Sequence, residues 1–457
     1  MKNRLSLLIV CGLILLGVAC NEGGVAETAV STATPQPAPT ETAVPTRNPD
    51  ALYIDASQSL GPINPLVYGS NYGPWLAVPV GVLEAYQNSG LTFLRFPGGR
   101  WGDENNIRDL QVDQLMTLTD MIDGEASIST RLLGGTPEES AEVVRYTNIE
   151  KEYNVRYWSI GNEPTLYATL QNSDEWNTAY FNQEWRKFAE AMKAVDPNIL
   201  ILGPEVHQYT VSEATDPKDA NGNDWMREFL LANGDLVDVV TIHRYPFPKD
   251  MATPAPTPAE LMANSPEWDV IIPKLRELII ETTGKELPIG VTEINSNWTN
   301  TGGGDTTPDS LLSAIWWADS LGRMIRNQVD MVNHFALQSK PGQAGWGLLA
   351  RNDVRPGYYV YQLYKMFGTE LLHADSPDGM LSVFAAQRDD GAITAIVINR
   401  SDAAKTTSLQ IVGAATSETA DLWRFDADHN AEALGETATD SVEIPPYSMS
   451  LFVFPSQ

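Results

Sequence analysis

Cysteine is nearly absent from this chain of 457 residues, which has only Cys11 and Cys20, both within the first twenty positions. The body of the chain therefore contains no disulfide. Among its five histidines, no two are spaced as a metal-binding pair on one helix or strand. The sequence accordingly predicts no metal site, and no cofactor is expected.

Positive charge is also scarce. The chain has 30 Lys and Arg residues against 59 Asp and Glu residues, a formal net charge of -29. Such a surface repels phosphate backbones, so we expect no nucleic acid among the partners. It also disfavours polyanionic substrates, unless a local basic patch lies at the site.

The N-terminus carries an apolar run over residues 5–19 that is too short to span a bilayer comfortably. Lys2 and Arg4 precede it, which gives the segment the charged and apolar regions of an export signal. The stretch "LLGVAC" resembles the signal of bacterial lipoproteins, which implies a signal peptide over 1–20 and a lipid on Cys20. Gly17 stands where that motif usually has Leu, so a plain secretory signal cut nearby is the alternative.

Residues 21–50 are rich in Thr, Ala, Pro and Glu and contain nothing that could build a core. A Pro-rich stretch of this composition is typical of a semi-extended tether. Signal and tether together predict an exported protein. We expect it at the cell envelope, held to the membrane through an N-terminal lipid anchor, or secreted if Cys20 carries no lipid.

From Leu52 onward, short apolar runs alternate with longer helix-like segments. Eight strand-then-helix units predict an α/β fold, a (β/α)8 TIM barrel over 51–368. A doubly wound open sheet is the alternative, but it would need a Gly-rich phosphate loop after the first strand, and the sequence has none. The runs predicted to be strands are 66–71, 91–99, 128–135, 155–163, 198–205, 236–246, 287–295 and 330–338.

After Gly368 the pattern changes to short alternating strands at regular spacing, such as "AITAIVINR" and "SMSLFVF". This pattern predicts a C-terminal β-sandwich domain over 369–457. The early run 51–60 precedes the first barrel strand and can pair with the sandwich.

Polar residues follow several of the predicted barrel strands. "RYWSIGNEP" ends the fourth strand at Glu163, and "GVTEIN" ends the seventh at Glu293. In a barrel, function gathers at the C-terminal ends of the strands, so we expect the two carboxylates to approach each other across one mouth. Alone, Glu163 could cap a helix and Glu293 could pair with a cation. Together they are the two positioned carboxylates that glycoside hydrolysis needs.

These motifs resemble a known group of proteins. "WSIGNEP" and "GVTEIN" are similar to the acid/base and nucleophile motifs of the large clan of retaining (β/α)8 glycoside hydrolases. "LRFPGG" with "GGTPEESAEVVRYTN" resembles the α-L-arabinofuranosidase branch, whereas "VDVVTIHRYP" and "PPYSMSLFVF" also suit the β-xylosidase and endo-β-glucanase branches, which carry a C-terminal sandwich. Ile294 follows the nucleophile position, where many members have an aromatic residue, so the branch stays open.

The resemblance implies a role for each residue at a matching position. Glu163 would be the general acid/base and Glu293 the nucleophile. Arg95 and Tyr245 would hydrogen-bond Glu293 and favour its ionised form.

Further residues would contact the sugar. The resemblance implies that Asn162 binds the 2-hydroxyl and that His243 lines the same mouth. Trp346, after the eighth strand, is a candidate stacking platform, with Trp101 and Trp298 as weaker candidates; ordinary packing explains each Trp equally well.

Two other classes of protein fit part of the sequence. A surface lipoprotein could bind glycans without cleaving them, on a barrel that has lost catalysis. A solute-binding transport lipoprotein would share the signal and tether, but it would need two open α/β lobes. The sugar, the linkage and endo or exo action stay open, as does the role of the Pro-rich loop 246–268 beside the sixth strand.

Overall fold

A computed structural model describes residues 47–250, 252–253, 255–299, 301–339 and 345–456. The chain divides into two units, 1–46 and 47–457. The predicted signal, Cys20 and the tether up to residue 46 lie outside the described residues. Within the described part of the chain, no helix has both the length and the apolar character needed to cross a membrane.

Strand β1 (Leu52–Pro62) belongs to a C-terminal sheet, and the next eight strands form a barrel. Each barrel strand pairs in parallel with its neighbour, and the first pairs with the last, which closes the barrel. The predicted (β/α)8 fold is thereby confirmed. The barrel strands are β2 (Gly69–Asn71), β3 (Phe93–Phe96), β4 (Glu125–Thr130), β5 (Tyr157–Ile160), β6 (Leu200–Val206), β7 (Val239–Arg244), β8 (Ile289–Ile294) and β9 (Met331–His334).

Helices surround the barrel; α10 is buried on all sides over residues 313–325, whereas others bury one apolar face. In α6, for example, Phe181, Trp185, Phe188 and Met192 recur at intervals of three and four residues, and all are buried. The helices are α1 (Leu83–Gln87), α2 (Trp101–Glu104), α3 (Asp109–Met121), α4 (Pro137–Val144), α5 (Tyr167–Gln171), α6 (Thr178–Val195), α7 (Trp225–Asn233), α8 (Pro258–Asn264), α9 (Trp268–Thr283), α10 (Leu311–Arg326) and α11 (Pro356–Tyr364). Shorter turns of helix span Pro65–Val67, Val80–Val82, Arg145–Glu150, Pro164–Leu166 and Ser265–Glu267.

The third barrel strand differs from its prediction. It spans Glu125–Thr130, whereas the apolar run had predicted 128–135. Glu125 and Ser127 lie in this strand, and their polarity interrupts the apolar pattern before residue 128, where the predicted run begins. The residues beyond the strand turn instead, and Gly134 adopts a left-handed conformation with φ 73°.

The interior of the barrel changes from apolar to polar along its axis. One buried cluster at the N-terminal ends of the strands consists of Leu66, Phe93, Tyr157, Leu202, Val239 and Met331. Arg95 lies two residues beyond Phe93 on β3, and His243 lies four residues beyond Val239 on β7. Both side chains point inward and are fully buried. These buried polar side chains therefore lie toward the C-terminal ends of the strands, where active sites of this fold occur.

The C-terminal part forms an eight-stranded sheet and a two-stranded sheet, which confirms the predicted β-sandwich region. The large sheet has the order β14-β1-β10-β11-β12-β18-β15-β16, and β13 pairs with β17. Its strand β1 runs antiparallel to β10 and parallel to β14. The strands are β10 (Glu370–Asp375), β11 (Leu381–Gln387), β12 (Ile393–Asn399), β13 (Lys405–Thr407), β14 (Leu409–Val412), β15 (Thr419–Phe425), β16 (Asn430–Ala438), β17 (Val442–Ile444) and β18 (Ser448–Phe454).

Both faces of the large sheet are buried along its central strands β11, β12 and β18. Alternate residues, such as Phe384 and Ile396, belong to the same apolar core as the barrel helices. Their neighbours, such as Val383 and Val397, pack with the small sheet. The barrel and the sandwich therefore share one core, because successive side chains of a strand point to opposite faces.

Candidate active site

Arg95 on β3 lies at the centre of the site and is fully buried. Its guanidinium donates to Glu293 at 2.8 Å, to Asn71 at 2.8 Å and to Asn162 at 3.0 Å. It also donates to both carboxylate oxygens of Glu205, through Nε at 3.3 Å and through Nη2. One cation thereby joins the ends of five barrel strands. Burial opposes its charge, but the two carboxylates raise the pKa of Arg95 above its ordinary value.

Glu293 at the end of β8 accepts three hydrogen bonds. Arg95 and the Gly99 backbone N–H donate to Oε1, at 2.8 and 2.6 Å, and the Tyr245 hydroxyl donates to Oε2 at 2.8 Å. Burial acts to raise the pKa of Glu293, but His243, Arg95, Tyr245 and Gly99 together hold it below its ordinary value. Glu293 is therefore an ionised carboxylate in a buried setting.

Glu163 follows β5 and faces Glu293. Its backbone has φ 48°, in the left-handed region, and Pro164 begins a helical turn directly after it. Its side chain is 20% exposed, whereas that of Glu293 is 4% exposed. One oxygen of each carboxylate lies within 4.8 Å of the other. The two glutamates thus share one mouth, with Glu163 on its open side.

His243 on β7 lies between the glutamates. Its Nδ1 atom is 3.0 Å from Glu163 Oε1 and 3.8 Å from Glu293 Oε2, and its Nε2 atom is 3.9 Å from Glu205 Oε2. Burial acts to lower the pKa of His243, but Glu293 and Glu163 raise it above its ordinary value. Glu293 and Glu163 therefore both favour the protonated form of the imidazole.

Glu163, His243 and Glu293 also offer three atoms that could hold a metal ion. Each of these groups already has a partner within the protein. Glu163 and His243 bond to each other, and Glu293 accepts from Arg95, Tyr245 and Gly99. We assign no metal to this set.

A second buried network supports the turn that carries Glu163. Asp103 on α2 accepts hydrogen bonds from the Asn162 backbone N–H at 3.1 Å and from the Tyr167 hydroxyl. Burial raises the pKa of the Asp103 carboxyl well above its ordinary value. Gly161 has φ 78°, and a Cβ atom there would lie 2.6 Å from the Tyr167 hydroxyl. The turn consequently requires glycine at this position.

A cavity of about 990 Å³ opens above the glutamates and has an aromatic wall. Trp346 lies in this wall; its Nε1 donates to the Asn297 carbonyl at 2.9 Å, and its ring packs against Phe335 with centroids 5.3 Å apart. Trp298 also lines the cavity and is 46% exposed. Trp101, on α2, is not among its lining residues in the described part of the chain.

The structure brings most of the predicted site residues to one place. At the mouth of the barrel lie Arg95, Asn162, Glu163, His243, Tyr245 and Glu293, with Trp346 in the wall of the cavity. Sequence reasoning assigned no role to Glu205, Asp103 or Phe335. Glu205 had a signal, because "ILGPE" ends the fifth predicted strand in a carboxylate. Asp103 and Phe335 have no comparable signal in the local sequence.

Comparison with known proteins confirms the fold resemblance. No family profile matches the sequence, and no curated protein matches it. Among solved structures, a bifunctional glucanase-xylanase from a metagenome library matches with a TM-score of 0.68 and 17% identity, over 90% of this chain and 100% of that one. An α-L-arabinofuranosidase from Thermotoga maritima, solved with arabinose, matches with a TM-score of 0.68 and 17% identity, over 88% and 99% of the two chains.

A third solved structure is the family 44 xyloglucanase of Paenibacillus polymyxa, which matches with a TM-score of 0.68 and 15% identity, over 89% of this chain and 99% of that one. The chain therefore has the fold of these (β/α)8 glycoside hydrolases, including the C-terminal β-sandwich. At such low identity the likeness establishes the fold alone.

Proposed function

We propose that the protein is an exported retaining glycoside hydrolase that acts by a two-glutamate double displacement on plant-type or microbial polysaccharides or oligosaccharides. One observation carries the proposal: carboxylate oxygens of Glu163 and Glu293 lie within 4.8 Å of each other at one barrel mouth. Retaining enzymes place their two carboxyl groups about 5–5.5 Å apart, whereas inverting enzymes separate them by about 6.5–9.5 Å to admit a water.

In the first step, Glu293 attacks the anomeric carbon while Glu163 protonates the leaving glycosidic oxygen. The bond to that oxygen breaks, and an ester between the sugar and Glu293 forms. The environment of Glu293 suits the role of nucleophile. Buried donors keep Glu293 ionised, and Glu163 reaches the open side of the cleft.

In the second step, Glu163 takes a proton from a water molecule, which attacks the same carbon and releases the sugar from Glu293. Arg95 can only donate hydrogen bonds, so the oxygen of the Asn162 amide faces its guanidinium. The NH2 group of the amide then points the other way, which makes Asn162 a candidate partner of the sugar 2-hydroxyl. The rings of Phe335 and Trp346 suit stacking on a sugar face.

The structural neighbours support the substrate class. Their names describe a glucanase-xylanase, arabinofuranosidases and xyloglucanases, all of which act on carbohydrate polymers or their side chains. We therefore expect an α-L-arabinofuranosidase, β-xylosidase or endo-β-glucanase activity.

A panel of aryl glycosides and plant polysaccharides tests the proposal, with Glu293→Gln as the matched variant. We expect the native protein to hydrolyse at least one of them, and the variant to lose about a thousandfold or more of that activity. If the native protein binds a glycan but releases no product, the alternative of a non-catalytic glycan-binding lipoprotein holds instead.

The cellular location is a separate part of the proposal. The N-terminal signal, Cys20 and the Pro/Thr tether support a lipid-anchored protein of the cell envelope. Cell fractionation tests this, with Cys20→Ser as the comparison. We expect the native protein in the membrane fraction and the variant released from it; native protein free in the cytoplasm would contradict export.

A further inference from the structure

The wall of the active-site cavity carries basic side chains, although the chain as a whole is acidic. The protein carries a net charge of -29. Yet, apart from Glu163 and Glu293, the Lys, Arg, Asp and Glu side chains that line the cavity in the described part of the chain are all basic. They are Arg100, Arg244 and Lys249.

The three cations stand on two sides of the mouth. Arg100 follows β3, the second barrel strand, and Arg244 and Lys249 belong to β7 and the loop after it, at the sixth strand. The second and sixth of eight strands lie opposite each other. Arg244 and Lys249 come from one short segment and line the same cavity.

The existing partners of these cations decide how much charge is available. Arg244 lines the cavity but is only 7% exposed. It binds Glu267 through Nε at 2.9 Å and Nη2 at 2.7 Å, so its charge is paired and its guanidinium is held in place. Arg100 pairs with Glu104, but both side chains are more than half exposed, and such pairs exchange partners at little cost.

Lys249 has no acidic partner in direct contact, although its charge acts on the nearby Glu260 and lowers the pKa of that carboxyl. Lys249 is exposed, and it forms no ion pair with the described part of the chain. Its ammonium lies 5.6 Å from the centre of the Phe247 ring. The neighbouring Asp250 directs a carboxylate oxygen to the backbone N–H groups of Ala252 and Thr253, at 2.9 and 2.8 Å.

We propose that the cleft binds an acidic glycan, in which the carboxylate of a uronic acid residue next to the scissile sugar meets Arg244 and Lys249. This inference deepens the proposed hydrolase function and rests on it. A guanidinium edge and an ammonium are suited to a carboxylate. The surrounding acidic surface repels a densely charged polyanion, so the expected substrate carries uronic acids sparsely along a neutral chain.

The experiment compares a uronate-bearing polysaccharide with the same polymer after its carboxylates are reduced to primary alcohols. We measure kcat/KM for both forms at low and high NaCl, using every polymer that the protein cleaves. We expect kcat/KM to be about tenfold higher for the native polymer than for the reduced one, which is the contribution of one charge-assisted hydrogen bond. This ratio should fall as the NaCl concentration rises.

Lys249→Gln should lower the ratio of kcat/KM for the native polymer to kcat/KM for the reduced polymer about tenfold. Lys274→Gln is the matched control, because it removes an exposed lysine on α9 that pairs with Glu277, and it should leave the ratio unchanged. Equal kcat/KM for both polymer forms, a ratio insensitive to salt, or cleavage of neutral polymers only would overturn the inference. Failure to cleave any glycan would instead contradict the proposed function itself.

Discussion

At the scale of single residues, the buried cation Arg95 explains how several carboxylates coexist in one site. Two buried carboxylates, Glu205 and Glu293, accept directly from its guanidinium. An ionised group is costly to bury unless it is paired and hydrogen-bonded. Arg95 therefore stabilises both the fold at the mouth and the ionised form of the nucleophile candidate.

Replacing Tyr245 by Phe removes one hydrogen bond to Glu293 and leaves Arg95 in place. The Tyr245 hydroxyl is one of the donors that lower the pKa of Glu293. In Tyr245→Phe the pKa of Glu293 should rise, so Glu293 becomes protonated at higher pH. The acidic limb of the kcat/KM profile should then move up by about one pH unit.

The matched control is Tyr146→Phe, which removes a hydroxyl bonded to Asp113, a carboxylate on the outer helix α3. It should leave the acidic limb in place. An unchanged profile in Tyr245→Phe, or a shift to lower pH, would show that the hydroxyl does not hold Glu293 ionised.

At the scale of secondary-structure elements, the turn after β5 places Asn162 and Glu163. The turn depends on Gly161 in a left-handed conformation and on Asp103, which belongs to a different element, α2. Because the buried Asp103 carboxyl accepts from the backbone of Asn162, helix α2 fixes the direction in which Glu163 leaves the strand.

We expect Asp103→Ala to destabilise the protein by about 1–3 kcal/mol, since it leaves a buried N–H and the Tyr167 hydroxyl without their acceptor. It should also lower kcat more for poor leaving groups than for activated ones, because a displaced Glu163 protonates them less well. Urea unfolding and kcat on two aryl glycosides measure the two effects.

Two variants separate positioning from stability. Asp103→Asn keeps an acceptor oxygen and should recover most of the activity. Asp113→Ala removes a carboxylate that binds Tyr146 and Tyr153 far from the mouth, so it should cost stability without changing the leaving-group dependence. An equal loss on both substrates in Asp103→Ala would limit Asp103 to a structural role.

The elements also show what the sequence could predict. Barrel strands appear as apolar runs because a parallel sheet is covered on both faces, and their polar ends mark the mouth, so Glu163 and Glu293 were visible as candidates. The β4 bounds were wrong because the polar residues Glu125 and Ser127 at its start hide the strand from an apolar pattern. Asp103 reaches the site only through tertiary packing of α2, which local patterns do not encode.

At the scale of the whole molecule, the barrel and the sandwich depend on each other. Strand β1 precedes the barrel in sequence but pairs with β10 and β14 of the C-terminal sheet. A buried ion pair also crosses between the two parts: Arg400, after β12, lies 3.3 Å from Asp319 of α10. Neither part has a complete core alone.

A fragment that ends at residue 368 should therefore fail to fold, since it leaves β1 without partners and exposes the apolar face of the barrel helices that the sheet covers. Calorimetry should show one cooperative transition for residues 47–457 and none for 47–368. A cooperative transition in the shorter fragment would show that the barrel is an independent domain.

We propose Glu293 as the nucleophile and Glu163 as the acid/base of one retaining site. The most direct test is azide rescue of the two alanine variants on an activated aryl glycoside, with the configuration of the glycosyl azide product determined by NMR. In Glu163→Ala, azide should attack the accumulated glycosyl-enzyme from the vacated side and give the retained product. In Glu293→Ala, it can only attack the substrate directly and should give the inverted product. The opposite assignment of products would mean that the roles are exchanged, and full activity in either variant without azide would contradict the account.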